Sequence, residues 1–159
     1  MPAADAAIAA LSRRQLGVFT WEQARAAGMH DSTVARRVAS GRYHRLLPGV
    51  LREACVPDSW KARALAALLA VGGEAVLARG SAARVLGLEL PTSGPLAVLV
   101  RTRCFDALPE VRVHRTRVLE DVDVTTVGAL ATTTATRTLA DLAGAVPPTT
   151  LRRLVAAAV

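Results

Sequence analysis

Aromatic side chains make up only 3% of this 159-residue chain, and lysine occurs once, at Lys61. Each shortage excludes something. With so few rings the core must be built from Ala, Val and Leu, for which a hydrophobic content of 52% is ample. Cys55 and Cys104 are the only cysteines, far apart and in no Cys-x-x-Cys spacing. They read as two buried, reduced thiols, which suits a cytoplasmic location and argues against a disulfide framework. The histidines His30, His44 and His114 form no ligand motif, so no metal site is expected. The apolar run over 64–71 is too short to span a membrane. In the first fourteen residues the positive charges follow the apolar stretch, the reverse of a signal peptide. A Gly-rich phosphate loop is also missing, because Gly72-Gly73 reads as a helix stop. No cofactor is expected.

The lysine shortage bears on catalysis as well. A nuclease of the PD-(D/E)xK kind needs clustered carboxylates to hold a metal and a lysine to orient the attacking water. The nearest match is Asp106 with Glu110-Val111-Arg112, where arginine stands in the lysine position. Lys61 is isolated on an apolar helix. The chain is therefore not expected to be an enzyme.

What the sequence does hold is arginine. The net charge is +7 and the sequence pI about 11.1, a balance that attracts polyanions over long range. Arginine suits bidentate contacts to phosphate and guanine, although its abundance here, like that of Ala and Val, equally fits a GC-rich genome. The charge is uneven. Residues 1–55 carry eight Arg against four acids, and residues 56–159 carry twelve Lys+Arg against nine. Five of the first eight arginines fall between Arg36 and Arg52.

That stretch has a recognisable plan. Thr20 with Gln23 three residues on predicts a capping box, and a short helix from Trp21 to about Ala27 ended by Gly28. Asp31 or Ser32 caps a second helix, Thr33 to about Ser40, which Gly41 ends. Two short helices joined by a tight turn make a helix-turn-helix, whose second helix enters the DNA major groove. On that helix Val34, Ala35 and Val38 are expected to pack inward. Ser32, Thr33, Arg36, Arg37 and Ser40 are expected to face outward, as hydroxyls and guanidiniums that read bases or hold phosphates. Pro48-Gly49 predicts a type II turn, making Arg42, Tyr43, His44 and Arg45 part of a basic β-ribbon, a wing against the sugar-phosphate backbone. Trp21 sits at the first helical turn, where packing into the core is the commoner role and an exposed or DNA-facing aromatic the alternative.

The flanking elements follow. An amphipathic helix over 3–14 and a short strand over 16–19 complete the winged unit. Pro57-Asp58-Ser59 marks a boundary. Beyond it come a largely buried helix from Trp60 to about Val71, with Trp60 in the core, and a short helix from Ser81 to about Leu86. Strands are expected over 96–100 and 111–115 and around Val122–Val127. A helix capped by Thr134 and a last one opened by Pro147-Pro148 follow. Arg112, Arg115 and Arg117 form a second basic group, and His114 reads as a surface residue. The expected class is α+β, with a winged helix-turn-helix domain over 1–55 and a small mixed α/β domain over 56–159.

Four segments carry a family resemblance: GVFTWEQARAAGMHDSTVARRVASGRYHRLLPGVL, LARGSAARVLGLEL, VRVHRTRVL and TRTLADLA. In their order and spacing the chain resembles the AbiE-type antitoxins and transcriptional regulators of actinobacteria. Longer members of that family continue into a Vsr-like endonuclease domain, which here would lie beyond residue 159. The resemblance implies sequence-specific binding to double-stranded DNA, repression of the member's own toxin–antitoxin operon, and a nucleotidyltransferase-like toxin as functional partner. It places Ser32, Thr33, Arg36 and Arg37 at groove-reading positions, with Arg42, Tyr43, His44 and Arg45 in the wing. One short recognition helix gives modest affinity, so a homodimer on a pseudo-palindromic site is expected. Two other readings stay open: the DNA-recognition part of a longer nuclease, and a protein–protein interaction module.

Overall fold

Thr20 does what its context predicts: its hydroxyl accepts from the Gln23 amide at 3.0 Å, while the Gln23 side chain accepts from the Thr20 amide at 2.8 Å. Both orphan donors of the helix start are satisfied reciprocally. The computed structural model describes residues 3–90, 94–101 and 108–158. It has helices and two sheets, the α+β class, and it divides into two units, Met1–Val71 and Gly72–Val159.

The first unit runs α1 (Ala3–Arg14), β1 (Val18–Thr20), α2 (Trp21–Ala26), α3 (Asp31–Ala39), β2 (Tyr43–Leu47), β3 (Val50–Glu53) and α4 (Trp60–Val71). Its three strands are ordered β1-β3-β2, all antiparallel. Gly49, at φ 71, turns the β2–β3 hairpin in the left-handed region that a type II turn requires.

Neighbouring residues of these strands are buried together: Val18 and Phe19 are both 0% exposed, and Val50 and Leu51 both 1%. Successive strand side chains point to opposite faces, so both faces of this small sheet must be covered. Phe19, Tyr43 and Leu51 pack with Ile8, Ala24, Met29 and Val34 of the helical face. Val18 and Val50 pack on the other face with Ala62 and Ala66 of α4. The register agrees, pairing Phe19 with Leu51 and Thr20 with Val50.

The helix α4 therefore packs in the first unit, whereas the sequence reading drew the boundary at residue 55. Gly17 shows how the intervening chain is tied back. At φ 82 it lies where a Cβ would come within 2.6 Å of Val56, and its carbonyl accepts from the Glu53 amide at 3.0 Å. An Arg52 guanidinium nitrogen also donates to the Val56 carbonyl. Pro57-Asp58-Ser59 reads as a boundary because it is a loop, yet the loop only carries the chain from one face of the sheet to the other.

The second unit contains β4 (Val76–Leu77), α5 (Arg79–Val85), β5 (Leu96–Val100), β6 (Val111–Arg115), β7 (Val124–Val127), β8 (Leu130–Thr133), α6 (Ala135–Leu142) and α7 (Pro148–Ala158). The sheet order is β6-β5-β4-β8-β7, with β5 parallel to β6 and β4 parallel to β8. One face buries Val76, Ala78, Leu99 and Leu119. The helices gather Ala83, Leu88, Leu142 and Leu154 into a second cluster. Arg137 of α6 binds Asp141 and Asp123, each at 3.0 Å, and the Val118 carbonyl at 2.8 Å. The arginine of the RTLADL segment is thus a structural clamp.

Replacing Thr20 by Ala removes one half of the capping box. Thermal or urea unfolding should show a loss of about 1 kcal/mol, with the helical content of the folded state unchanged.

Candidate nucleic-acid interface

Helix α3 begins two residues earlier than its sequence suggests, at Asp31, and its N-cap His30 makes no side-chain capping bond. Asp31 is engaged elsewhere. Its carboxylate accepts from Trp21 Nε1 at 2.6 Å and from Arg25 Nε and Nη2 at 2.7 and 2.6 Å. The bond from Arg25, then that from Trp21, hold the Asp31 carboxyl down to about 2, from an ordinary 3.8. Asp31 thereby joins α2 to the start of α3 on the solvent side, with its negative charge paired to Arg25. A group whose folded pKa is depressed stabilises the fold above its unfolded value, near 3.8, and this contribution is lost as pH falls through about 2. The difference in Tm between wild type and Asp31→Asn should therefore be constant above pH 5 and shrink toward pH 2; a gap that stays constant throughout would contradict the role given to this carboxylate.

Along α3 the exposed residues are Asp31, Ser32, Ala35, Arg36, Ala39 and Ser40, while Val34 is buried and Val38 packs against the same cluster. Ser32, Arg36 and Ser40 stand four residues apart and form one row. Ala35, expected to pack inward, belongs to the open face; a short helix resting its Val34–Val38 edge on the sheet leaves position 35 outside. Thr33 lies at the border, half-buried.

Arg37 and Tyr43 depart from the sequence-based assignment. Tyr43 is 2% exposed, its ring meeting Phe19 edge-on with centroids 5.0 Å apart. The Arg37 side chain is 13% exposed and turns under the helix. It binds the Asp5 carboxylate at 2.5 Å and the Tyr43 hydroxyl at 2.8 Å, and its guanidinium lies 5.6 Å from the Tyr43 ring centroid. Burial lowers the basicity of Arg37, but the bonds to Tyr43 and Asp5 outweigh it and raise its pKa. Both residues hold α1, α3 and β2 together. The paired arginines of the sequence thus split: Arg36 faces solvent and Arg37 faces the core, because consecutive helical positions are about 100° apart.

Beyond the helix Arg42, His44 and Arg45 are exposed. Among the described residues, Arg36, Arg42 and His44 have no intramolecular side-chain partner. In the register Arg45 pairs with Leu51 and His44 with Arg52, so the two project from opposite faces of the hairpin, Arg45 on the side of α2 and α3. There its guanidinium lies 5.6 Å from the centroid of the Trp21 ring, a cation–π contact that preorganises it. Trp21, half-buried, is thus a platform for the wing and an anchor for Asp31. Sequence reasoning singled out Trp21 but missed its bond to Asp31 and the Arg25 that shares this carboxylate; the six-residue separation of Arg25 and Asp31 crosses the inter-helix turn and follows no helical spacing rule. The arrangement as a whole is a row of hydroxyls and one guanidinium, flanked by Arg42 and by Arg45 on its aromatic support. These groups suit an anionic double helix.

Three remaining expectations concern other parts of the chain. Cys55 is exposed, with its thiol 3.6 Å from a Glu53 carboxylate oxygen, because it follows the last strand residue on an open turn; Cys104 and Asp106 lie outside the described residues. Trp60, expected in the core, is half-buried at the first turn of α4. No described helix is long and apolar enough to cross a membrane.

Comparison with known proteins agrees with the N-terminal geometry. No curated protein matches the chain. Residues 6–54 match the model of a family described as a transcriptional regulator, AbiEi antitoxin, and that segment contains α2, α3 and the wing together with most of α1. The family carries a DNA-binding regulatory role. Over this segment, which folds as a winged helix-turn-helix, the chain is similar to the AbiEi antitoxin family of transcriptional regulators.

Proposed function

We propose that the protein is a sequence-specific DNA-binding autorepressor of a toxin–antitoxin operon, docking α3 in the major groove and the β2–β3 wing on the flanking backbone. The observation that carries this reading is the solvent-facing row Ser32, Arg36 and Ser40, with Arg42 and Arg45 beside it. In this assignment Arg36 reads a base edge, the three hydroxyls of Ser32, Thr33 and Ser40 contact bases or phosphates, and Arg42, His44 and Arg45 hold the backbone. Arg37 and Tyr43 support the surface from beneath. Two copies act on a pseudo-palindromic site, and a nucleotidyltransferase-like toxin encoded alongside is the functional partner. The chain acts by binding and not by catalysis.

The test is a binding titration of the full chain against duplex DNA from upstream of its own operon and against a scrambled duplex, at several salt concentrations. Preference for the operon duplex supports the reading; equal binding to both, or none, overturns it. In the same assay Arg42→Ala should weaken binding to both duplexes alike and reduce the slope of log K against log salt by about one. A change confined to one sequence would mean that Arg42 reads bases.

A further inference from the structure

The second unit has a basic cleft of its own. β5 and β6 are parallel neighbours, paired from Leu96↔Val111 to Val100↔Arg115. Parallel strands end on the same side, so Arg101, just after β5, and Arg115-Thr116-Arg117, at the end of β6, come together at their carboxyl ends. They line a cleft of about 380 Å³. Ligand sites of α/β sheets favour this location, and the volume is that of a small-molecule site.

The cleft is also built with some rigidity. The Arg101 guanidinium lies 3.2 Å from Glu74 and 3.3 Å from Asp121, both exposed carboxylates, and its own side chain stays 40% exposed. Thr116 is fixed at both ends: its amide donates to the Val100 carbonyl at 3.0 Å, and its hydroxyl accepts from the Val118 amide at 3.2 Å. Arg115 and Arg117 are exposed. Three guanidiniums border this one depression, and guanidiniums engage an anion with several acceptor oxygens through bidentate bonds.

We propose that Arg101, Arg115 and Arg117 form a phosphoryl-binding site at the carboxyl ends of β5 and β6. Its ligand is a phosphoryl group, supplied either by a small phosphorylated molecule such as a nucleotide or by a DNA backbone phosphate. The site belongs to the second unit and does not rest on the function proposed for α3.

The experiment uses the full chain, labelled for backbone amide and arginine side-chain NMR, with pyrophosphate, ATP and a short duplex as separate probes. The expected result is saturable shifts at Val100, Arg101 and Arg115 to Arg117. The double substitution Arg115→Gln with Arg117→Gln should weaken pyrophosphate or ATP binding about tenfold or more, while Arg36→Gln leaves binding of these two probes unchanged. Shifts with pyrophosphate or ATP identify a small ligand; shifts with the duplex alone, retained in Arg36→Gln, identify the DNA backbone. Either supports the site. No saturable shift at these residues with any probe, or wild-type affinity in the folded double variant, overturns it.

Discussion

Replacing Arg37 by alanine should unfold the N-terminal unit more readily by about 3 kcal/mol, the usual cost of breaking a largely buried ion pair from one side. The two side chains of the pair are 13% and 10% exposed, so removing the guanidinium leaves the Asp5 carboxylate desolvated and uncompensated. The Tyr43 hydroxyl loses its donor at 2.8 Å, and the contact between α3 and β2 loses its cation–π component. For a domain whose whole stability is about 5–15 kcal/mol, this is a large fraction. Urea unfolding of Arg37→Ala measures it. The double variant Arg37→Met with Asp5→Leu should recover most of the loss, since no charge is then left unpaired. If Arg37→Ala keeps wild-type stability and loses only DNA affinity, the inward placement of this side chain is wrong.

Its neighbour should behave in the opposite way. Arg36→Ala removes an exposed side chain without an intramolecular partner, so stability should change by no more than about 0.5 kcal/mol. Binding to the preferred duplex should fall by about 1–3 kcal/mol per recognition helix, the value of one bidentate base contact. Such a loss corresponds to roughly fivefold to 150-fold in Kd. The loss should be concentrated on the preferred sequence, because a base contact discriminates and a phosphate contact does not. Unfolding curves and fluorescence-anisotropy titrations on the same two variants give a crossed pattern: one arginine governs stability, the other affinity. An Arg36→Ala protein that binds the preferred duplex as tightly as wild type would end the docking proposal for α3.

Local signals in the chain proved sufficient for most of the elements. The capping box at Thr20, the glycines after α2 and α3, the Pro48-Gly49 turn and the alternation over 111–115 each act through bonds or torsions within a few residues, so their consequences are legible without a fold. The winged helix-turn-helix and the exposed Ser32–Arg36–Ser40 row follow from that level. Two strands escaped it. β4 is only Val76–Leu77, and β8, Leu130–Thr133, lies inside a threonine-rich run with no clear period. Strand formation there depends on neighbours far away in sequence, as Leu77 does in pairing with both Val98 and Thr132.

What only the tertiary structure decided is which way several side chains turn and what covers the small sheet. An Arg-Arg pair looks uniform in sequence, but α3 lies against β2 at one edge, and Asp5 arrives from a helix more than thirty residues earlier to draw Arg37 inside. Tyr43 reads as a wing aromatic until Phe19 is placed beside it. The helix α4 looks like the start of a new domain until Val18 and Val50 are seen to need a second layer. In each case the deciding partner is distant along the chain, and burial, charge pairing and sheet coverage are set by that partner and not by local spacing.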